Sequence, residues 1–226
     1  MKTEEIEKWK QAGKLAHDAL HYGKSLIKNK SSMLQVTEKI EKFVLDNGGK
    51  LAFPTNIAIN DIGAHWTPSS KSKEVFENGD LVKLDVGVHI DGYIGDNALT
   101  VEINTQKYNK MIEASRAALN AAIEVAGPGV NVGLIGQTVQ RTIEGYGYKP
   151  IANLTGHGIK RYNLHSGISV PSVDERGGTV LKNGDIIAIK PSLTSSPSKS
   201  VGVFLAFSFF INVFKTLVKL PLKPAK

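Results

Sequence analysis

The sequence predicts an α+β fold made of two pseudo-symmetric halves. Two observations carry this reading: an order of helix, helix and strands that occurs twice, and a long hairpin pattern in the first copy. Lys42, Gly48 and Lys50 match Arg141, Gly147 and Lys149 at an offset of 99. His65 falls near His165 at an offset of 100. The run Asn78-Gly79-Asp80-Leu81-Val82-Lys83-Leu84-Asp85 matches Asn183-Gly184-Asp185-Ile186-Ile187-Ala188-Ile189-Lys190 at 105. Asp85 of the first copy thus corresponds to Lys190 of the second. A cleft between two such halves would draw its ligands from both.

The elements follow in order. Ile6, Trp9, Ala16 and Leu20 keep helical spacing and predict a first helix from about Glu4 to Lys28. Ser32-x-x-Gln35 reads as a capping box, and Val36, Ile40, Phe43 and Val44 form the stripe of a second helix ending at Asn47-Gly48. Leu51 to Asn60 reads as a strand interrupted by Pro54, and Leu81 to Val101 as a hairpin turning at Asp91-Gly92. Asn104 is expected to cap a third helix carrying Ile112, Leu119 and Ile123, stopped by Gly127-Pro128-Gly129. A fourth shows Val132, Ile135, Val139 and Ile143 and stops at Gly145 and Gly147.

Composition narrows the function classes. The 226 residues are enough for a sizeable core. The absence of cysteine excludes a disulfide scaffold, a cysteine nucleophile and a thiolate zinc site. The charged start, MKTEEIEKWK, has no signal-peptide pattern and predicts a cytoplasmic protein. The net charge of +7 is unevenly spread: residues 1–185 hold 22 basic and 21 acidic side chains, and the remaining six lysines follow with no acid among them. Five of the eight phenylalanines also fall there, so composition breaks near residue 190. The apolar run from Val201 to Phe214 is shorter than the ~20 residues of a membrane helix, so membrane contact through it is a minor reading. The lysines lack arginine and an ordered basic face, which disfavours specific nucleic-acid binding.

Asp85 and Asp96 are the first candidates for chemistry. With a two-residue turn at Asp91-Gly92, Gly87 stands opposite Asp96, and Asp85 lies diagonal to it on the same sheet face. Two carboxylates over a gap suit a divalent cation, although on their own they would more often be solvated strand residues. His157, in Thr155-Gly156-His157-Gly158-Ile159, and His165, together with His65, add imidazoles to the same cleft. The pair His17 and His21 has zincin spacing but Asp18 in place of the required Glu, and reads as a solvated helix face. His89, beside the hairpin turn, reads the same way.

These motifs resemble a known family. Ala64-His65-Trp66-Thr67-Pro68, Leu84-Asp85-Val86-Gly87-Val88-His89, Ile94-Gly95-Asp96-Asn97-Ala98 and Gly156-His157-Gly158-Ile159-x-x-Tyr162-x-Leu164-His165 are similar to those of the type 2 methionine aminopeptidases, over residues 1 to 190 in order. The resemblance implies the pita-bread (aminopeptidase/creatinase-like) fold and removal of the initiator methionine from nascent polypeptides. It implies two divalent metals (Co, Mn, Fe or Zn) held by two Asp, one His and two Glu. Asp85, Asp96 and His157 match three of those ligands. His65 and His165 match the histidines that contact substrate and stabilise the reacting carbonyl, and Phe53 and Leu164 match positions lining the methionine pocket. Nascent N-termini are the implied partners, with the ribosome a further one, and the chain is expected to be a monomer.

The match breaks at the first family Glu, where this chain reads Ile189-Lys190-Pro191-Ser192. Two carboxylates and Lys190 sum to −1 against the +4 of two divalent ions, so one ion or none is expected, and impaired activity with it. A pita-bread domain over 1–190, its last segment incomplete, is expected to be followed by a basic, Phe-rich tail over 191–226. Either the tail covers the open sheet edge of the second half, or it is foreign to the ancestral fold. A non-catalytic peptide- or ribosome-binding module is the alternative function.

Overall fold

The computed structural model describes residues 1–195 and, as backbone only, 205–206 and 209–212. Predictions for the other tail residues lie outside the described residues. The first half opens with α1 (Thr3–Leu26) and α2 (Met33–Asp46). Ser32 caps α2 by accepting from the Gln35 backbone N–H at 3.4 Å. Then come β1 (Lys50–Leu51), β2 (Asn56–Ile59), β3 (Leu81–Ile90) and β4 (Tyr93–Glu102). Pro54 separates β1 from β2 as expected, because it cannot donate to a ladder. The two short strands share one edge of β3, β2 along Val82–Asp85 and β1 along Val88–His89. β4 takes the whole other edge.

The turn between β3 and β4 places Asp91 at φ 52° and Gly92 at φ 84°, the left-handed pair that a tight hairpin demands. Asp91 also accepts from Lys8 of α1 and from Arg161 of the second half, each at 2.9 Å. His89 belongs to this turn rather than to solvent alone, since its Nδ1 accepts from the Gly92 N–H at 3.1 Å.

The second half repeats the plan with α3 (Asn109–Val125), α4 (Val132–Gly145), β5 (Lys149–Pro150), β6 (Gly156–Ile159), β7 (Ser169–Val170), β8 (Ile186–Ile189) and β9 (Ser192–Thr194). α4 stands 99 residues after α2, and β5 stands 99 after β1. The isolated bridge Ser32↔Val75 recurs as Asn131↔Val180. Registers recur too: Lys50↔His89 becomes Lys149↔Thr194, and Ala58↔Lys83 becomes His157↔Ala188. β8 and β9 together are therefore the counterpart of β3, broken at Lys190-Pro191.

The start of α3 departs from the sequence reading. Asn104 does not cap it; it sits at φ 50° and its amide donates to Asn78 Oδ1 at 2.7 Å. The chain makes a further turn, fixed by Glu102 accepting from the Tyr108 N–H, before α3 begins at Asn109. The buried face of α3 is Met111, Ala114, Ser115, Ala118, Leu119 and Ala122, with Ile112 and Ile123 only half-buried against it.

Two further strands come from the tail. β10 (Leu205–Ala206) pairs β9 and β11 (Phe209–Asn212) pairs β8, both antiparallel. They hold one register, from Leu205↔Leu193 to Asn212↔Ile186. Of the two readings of the open edge of β8, the backbone thus takes the one in which the tail covers it. β11 also lies near β4, so the sheets of the two halves approach each other there.

Each half has its own core. Ile40, Val44, Ile57, Phe76, Val82 and Leu84 lead the first, and Leu119, Ile135, Val139, Ile143, Ile187 and Leu193 the second. A third cluster, of Trp9, Tyr93, Ile94, Ile159, Ile186 and Ala188, joins them. A fully buried Leu or Ile stabilises by roughly 1.5–3 kcal/mol, so these clusters fix the relative position of the halves.

Candidate active site between the two halves

Asp96 and Gly87 face each other across β3 and β4, and Asp85 pairs with Ala98 two residues further on. Both carboxylates therefore point to the same sheet face, as the hairpin arithmetic requires. Gly87 is needed for what lies over it: a Cβ there would stand 2.1 Å from the Phe53 ring. Phe53 covers the strand beside the carboxylates because that position has no side chain.

His157 comes from β6 of the other half. Its Nε2 is 3.2 Å from Asp96 Oδ2, and its ring meets that of His165 edge-on, with centroids 4.4 Å apart. His157 is buried and His165 exposed. Burial first, then the neighbouring His157 and Lys190 charges, lower the His165 pKa. His65, exposed and held at φ 58°, is close enough for its charge to lower it as well. Leu164 packs on the joining cluster with Ile159 and Ile186. The structure thus brings Phe53, Asp85, Asp96, His157, His165 and His65 around one cleft. His17 and His21 stack on α1 with ring centroids 4.3 Å apart and take no part in it.

Lys190 is at the centre of this group. Its Nζ lies 3.0 Å from Asp96 Oδ1, 3.5 Å from Asp85 Oδ2 and 5.9 Å from the Phe53 ring centroid. Its side chain is 18% exposed, against 20% for Asp85 and 0% for Asp96. Burial disfavours the ammonium, but the two carboxylates outweigh it and hold Lys190 protonated above its ordinary pKa. Burial also works to raise Asp96, yet Lys190 and His157 hold it below the usual carboxylate range. Asp85 is pushed up to about 6, by burial first and by Asp96, against the opposing pull of Lys190.

Three buried serines that sequence reasoning missed fix the main chain here. Ser172 and Ser192 donate to the Lys190 carbonyl at 3.5 and 3.4 Å, and Ser115 donates to the Pro191 carbonyl at 3.0 Å. No spacing motif marks them, since they come from α3, a loop and β9. They become visible only once the backbone around Lys190 is traced.

The family model for metallopeptidase family M24 matches residues 7–211. The chain belongs to that family, as the two halves and the cleft between them already suggest. Methionine aminopeptidases are among its relatives. That of Methanocaldococcus jannaschii is 40% identical over 223 residues, covering 99% of this chain and 74% of the relative. That of Thermococcus onnurineus is 41% identical over 200 residues, covering 88% and 68%. Among solved structures, the methionine aminopeptidase from Rickettsia prowazekii superimposes with a TM-score of 0.86 at 24% identity, covering 96% of each chain, which shows the shared pita-bread fold. The prolidase from Pyrococcus horikoshii superimposes at 0.80 with 26% identity, covering 95% of this chain and 60% of its own.

Membership in a metallopeptidase family implies divalent metal, so the side chains present must be tested for fit. Asp85, Asp96 and His157 offer suitable donor atoms, and Asp85 Oδ1 and His157 Nδ1 are buried without a hydrogen-bond partner among the described residues. The remaining geometry opposes a metal pair. Lys190 Nζ already stands within contact of both carboxylates, and a divalent ion 3–4 Å from it would be repelled by on the order of 10 kcal/mol at an effective dielectric of 20. Among the described residues no group of three or more His, Asp or Glu could hold a metal ion. The residues do not fit two divalent cations.

Proposed function

We propose that this cleft receives the N-terminus of a polypeptide and is an initiator-methionine aminopeptidase site whose hydrolysis is strongly depressed by Lys190. The observation that carries the reading is the convergence of Phe53, Asp85, Asp96, His157 and His165 on one cleft of a chain whose relatives are methionine aminopeptidases. In this reading Phe53, with Leu164, lines the pocket for the methionine side chain. His65 and His165 flank the first peptide carbonyl. Asp85, Asp96 and His157 are what remains of a metal-ligand set that would hold one ion or none. With two carboxylates against one ammonium, the cleft keeps a charge of −1 that favours a protonated α-amino group. Nascent chains in the cytoplasm, presented at the ribosome to a monomeric protein, are the partners this reading assigns.

The test is titration of a Met-Ala-Ser peptide, followed by methionine release with added cobalt or manganese and with Asp85→Ala as control. Binding that is lost in Phe53→Ala is expected. Methionine release is expected to be at least about tenfold slower than in a Lys190→Glu variant, a barrier difference of about 1.4 kcal/mol or more. No binding and no release above the control would overturn the aminopeptidase reading. Release as fast as in Lys190→Glu would overturn the role given to Lys190.

A further inference from the structure

The two corners of the cleft contributed by the second half can be located from the repeat. In the first half the corners are Asp85 on β3 and Asp96 on β4, opposite Gly87. The counterpart of Asp85 is Lys190. The counterpart of Gly87 is Ser192, whose register partner on β10 is Ala206. Ala206 therefore holds the register position in the second half that Asp96 holds in the first. The backbone frame for four corners is present, and Asp85, Asp96, Lys190 and Ala206 hold its four register positions.

We infer that the ammonium of Lys190 is the resident cation of this cleft, a tethered charge that joins the two halves and leaves the folded protein neither holding nor needing divalent metal. Lys190 reaches from the second half to both carboxylates of the first, at 3.0 and 3.5 Å. A cation bridging Asp85 and Asp96 would have to occupy the same space. The backbone that carries the lysine is bonded from behind, most closely by Ser115 to the Pro191 carbonyl, with Ser172 and Ser192 on the Lys190 carbonyl. Asp96, fully buried, would lose its nearest ammonium if Lys190 withdrew, and burial would then disfavour its charge more strongly. The inference rests on the proposed reading for the identity of the corners, and its test reads bound ions and melting rather than peptide binding or methionine release, so the failure of one is distinguishable from the failure of the other.

The test uses the full chain, in a His17→Ala background so that the imidazole pair on α1 contributes no ion. Bound metal is counted by elemental mass spectrometry after equilibration with manganese or cobalt, and the melting temperature is read with metal and with EDTA. The unchanged Lys190 chain is expected to retain no ion and to melt within about 1 °C in the two conditions. Lys190→Glu is expected to melt lower in EDTA and to gain roughly 5 °C on adding metal, as mass action requires of an ion that binds only the folded state. Should Lys190→Glu fail to fold, Lys190→Met removes the charge at similar length and is expected to gain at least one ion. Retention of one or more ions by the Lys190 chain, with a metal-dependent rise in melting temperature, would overturn the inference. So would a Lys190→Met chain as stable as its parent in EDTA and equally indifferent to metal.

Discussion

In the first half β3 runs unbroken for ten residues with Asp85 near its centre, whereas in the second half the equivalent strand is divided into β8 and β9 by Lys190-Pro191. Pro191 has no N–H to give the ladder, so pairing lapses there and resumes at Ser192. Two positions before each corner the halves differ again: the first buries Lys83, and the second has Ala188. The caps, turns and registers are nevertheless the same. Gly79 and Gly184 both sit in left-handed turns, at φ 90° and 93°, and the C-caps Ile27 and Ala126 make the same backbone bond one helical turn back. The apolar faces and turns that set the frame are shared, so the charge at a corner can be exchanged without changing the frame. The same frame therefore carries an aspartate at one corner and a lysine at its counterpart.

The strongest way to break the comparison is Asp96→Asn. It removes the buried charge that both Lys190 and His157 address, at 3.0 and 3.2 Å, and leaves a buried ammonium with one partner. Loss of one member of a buried ion pair costs about 3–5 kcal/mol, and a denaturant midpoint at constant m would show it. A cost below that of an exposed pair would mean that the halves are not joined through this corner.

Lys83 gives the next largest effect. It is 5% exposed, donates to the Asn60 carbonyl at 2.6 Å, and burial pulls its pKa from 10.5 down to about 8. Between pH 8 and 10.5 the unfolded chain binds the extra proton, so stability rises with pH across that window. The rise amounts to about 3 kcal/mol in total. Lys83→Met should abolish the rise, in the direction of the Ala188 that the second half already carries. An unchanged pH profile in the variant would assign the effect elsewhere.

The smallest effect compares the two helix caps. Asn131 caps α4 by accepting from the Gly133 N–H at 2.8 Å and also donates to the Gly178 carbonyl, while Ser32 makes a single 3.4 Å bond to the start of α2. Both alanine variants should cost about 1 kcal/mol, with Asn131→Ala the costlier. Thermal melts that rank them in the opposite order would show that the repeat's second cap is not the better built one.

Much of this was legible from spacing alone. The Asp91-Gly92 turn fixes which residues face each other on β3 and β4, so the Gly87–Asp96 pair needs no coordinates. Helical periodicity located α1, α2 and α4 to within about two residues. The start of α3 was not legible, because Asn104 looks like a cap until its side chain is seen bonded to Asn78. The serines behind Lys190 and the seating of the tail strands were not legible either. Each depends on residues far apart in sequence whose types carry no signal of their own.

By itself, then, the sequence determined the repeat, the hairpin register and the presence of Lys190 at the position that repeats Asp85, because these are set by local period, turn chemistry and residue identity. Only the tertiary structure decided that the lysine lies between both aspartates rather than turning out to solvent, and that the tail strand closes the edge of β8. Those outcomes depend on packing between the halves. Burial in the joining cluster brings the carboxylates and the ammonium within 3.5 Å, and at that distance their charges, which are weak apart in water, decide what the cleft can hold.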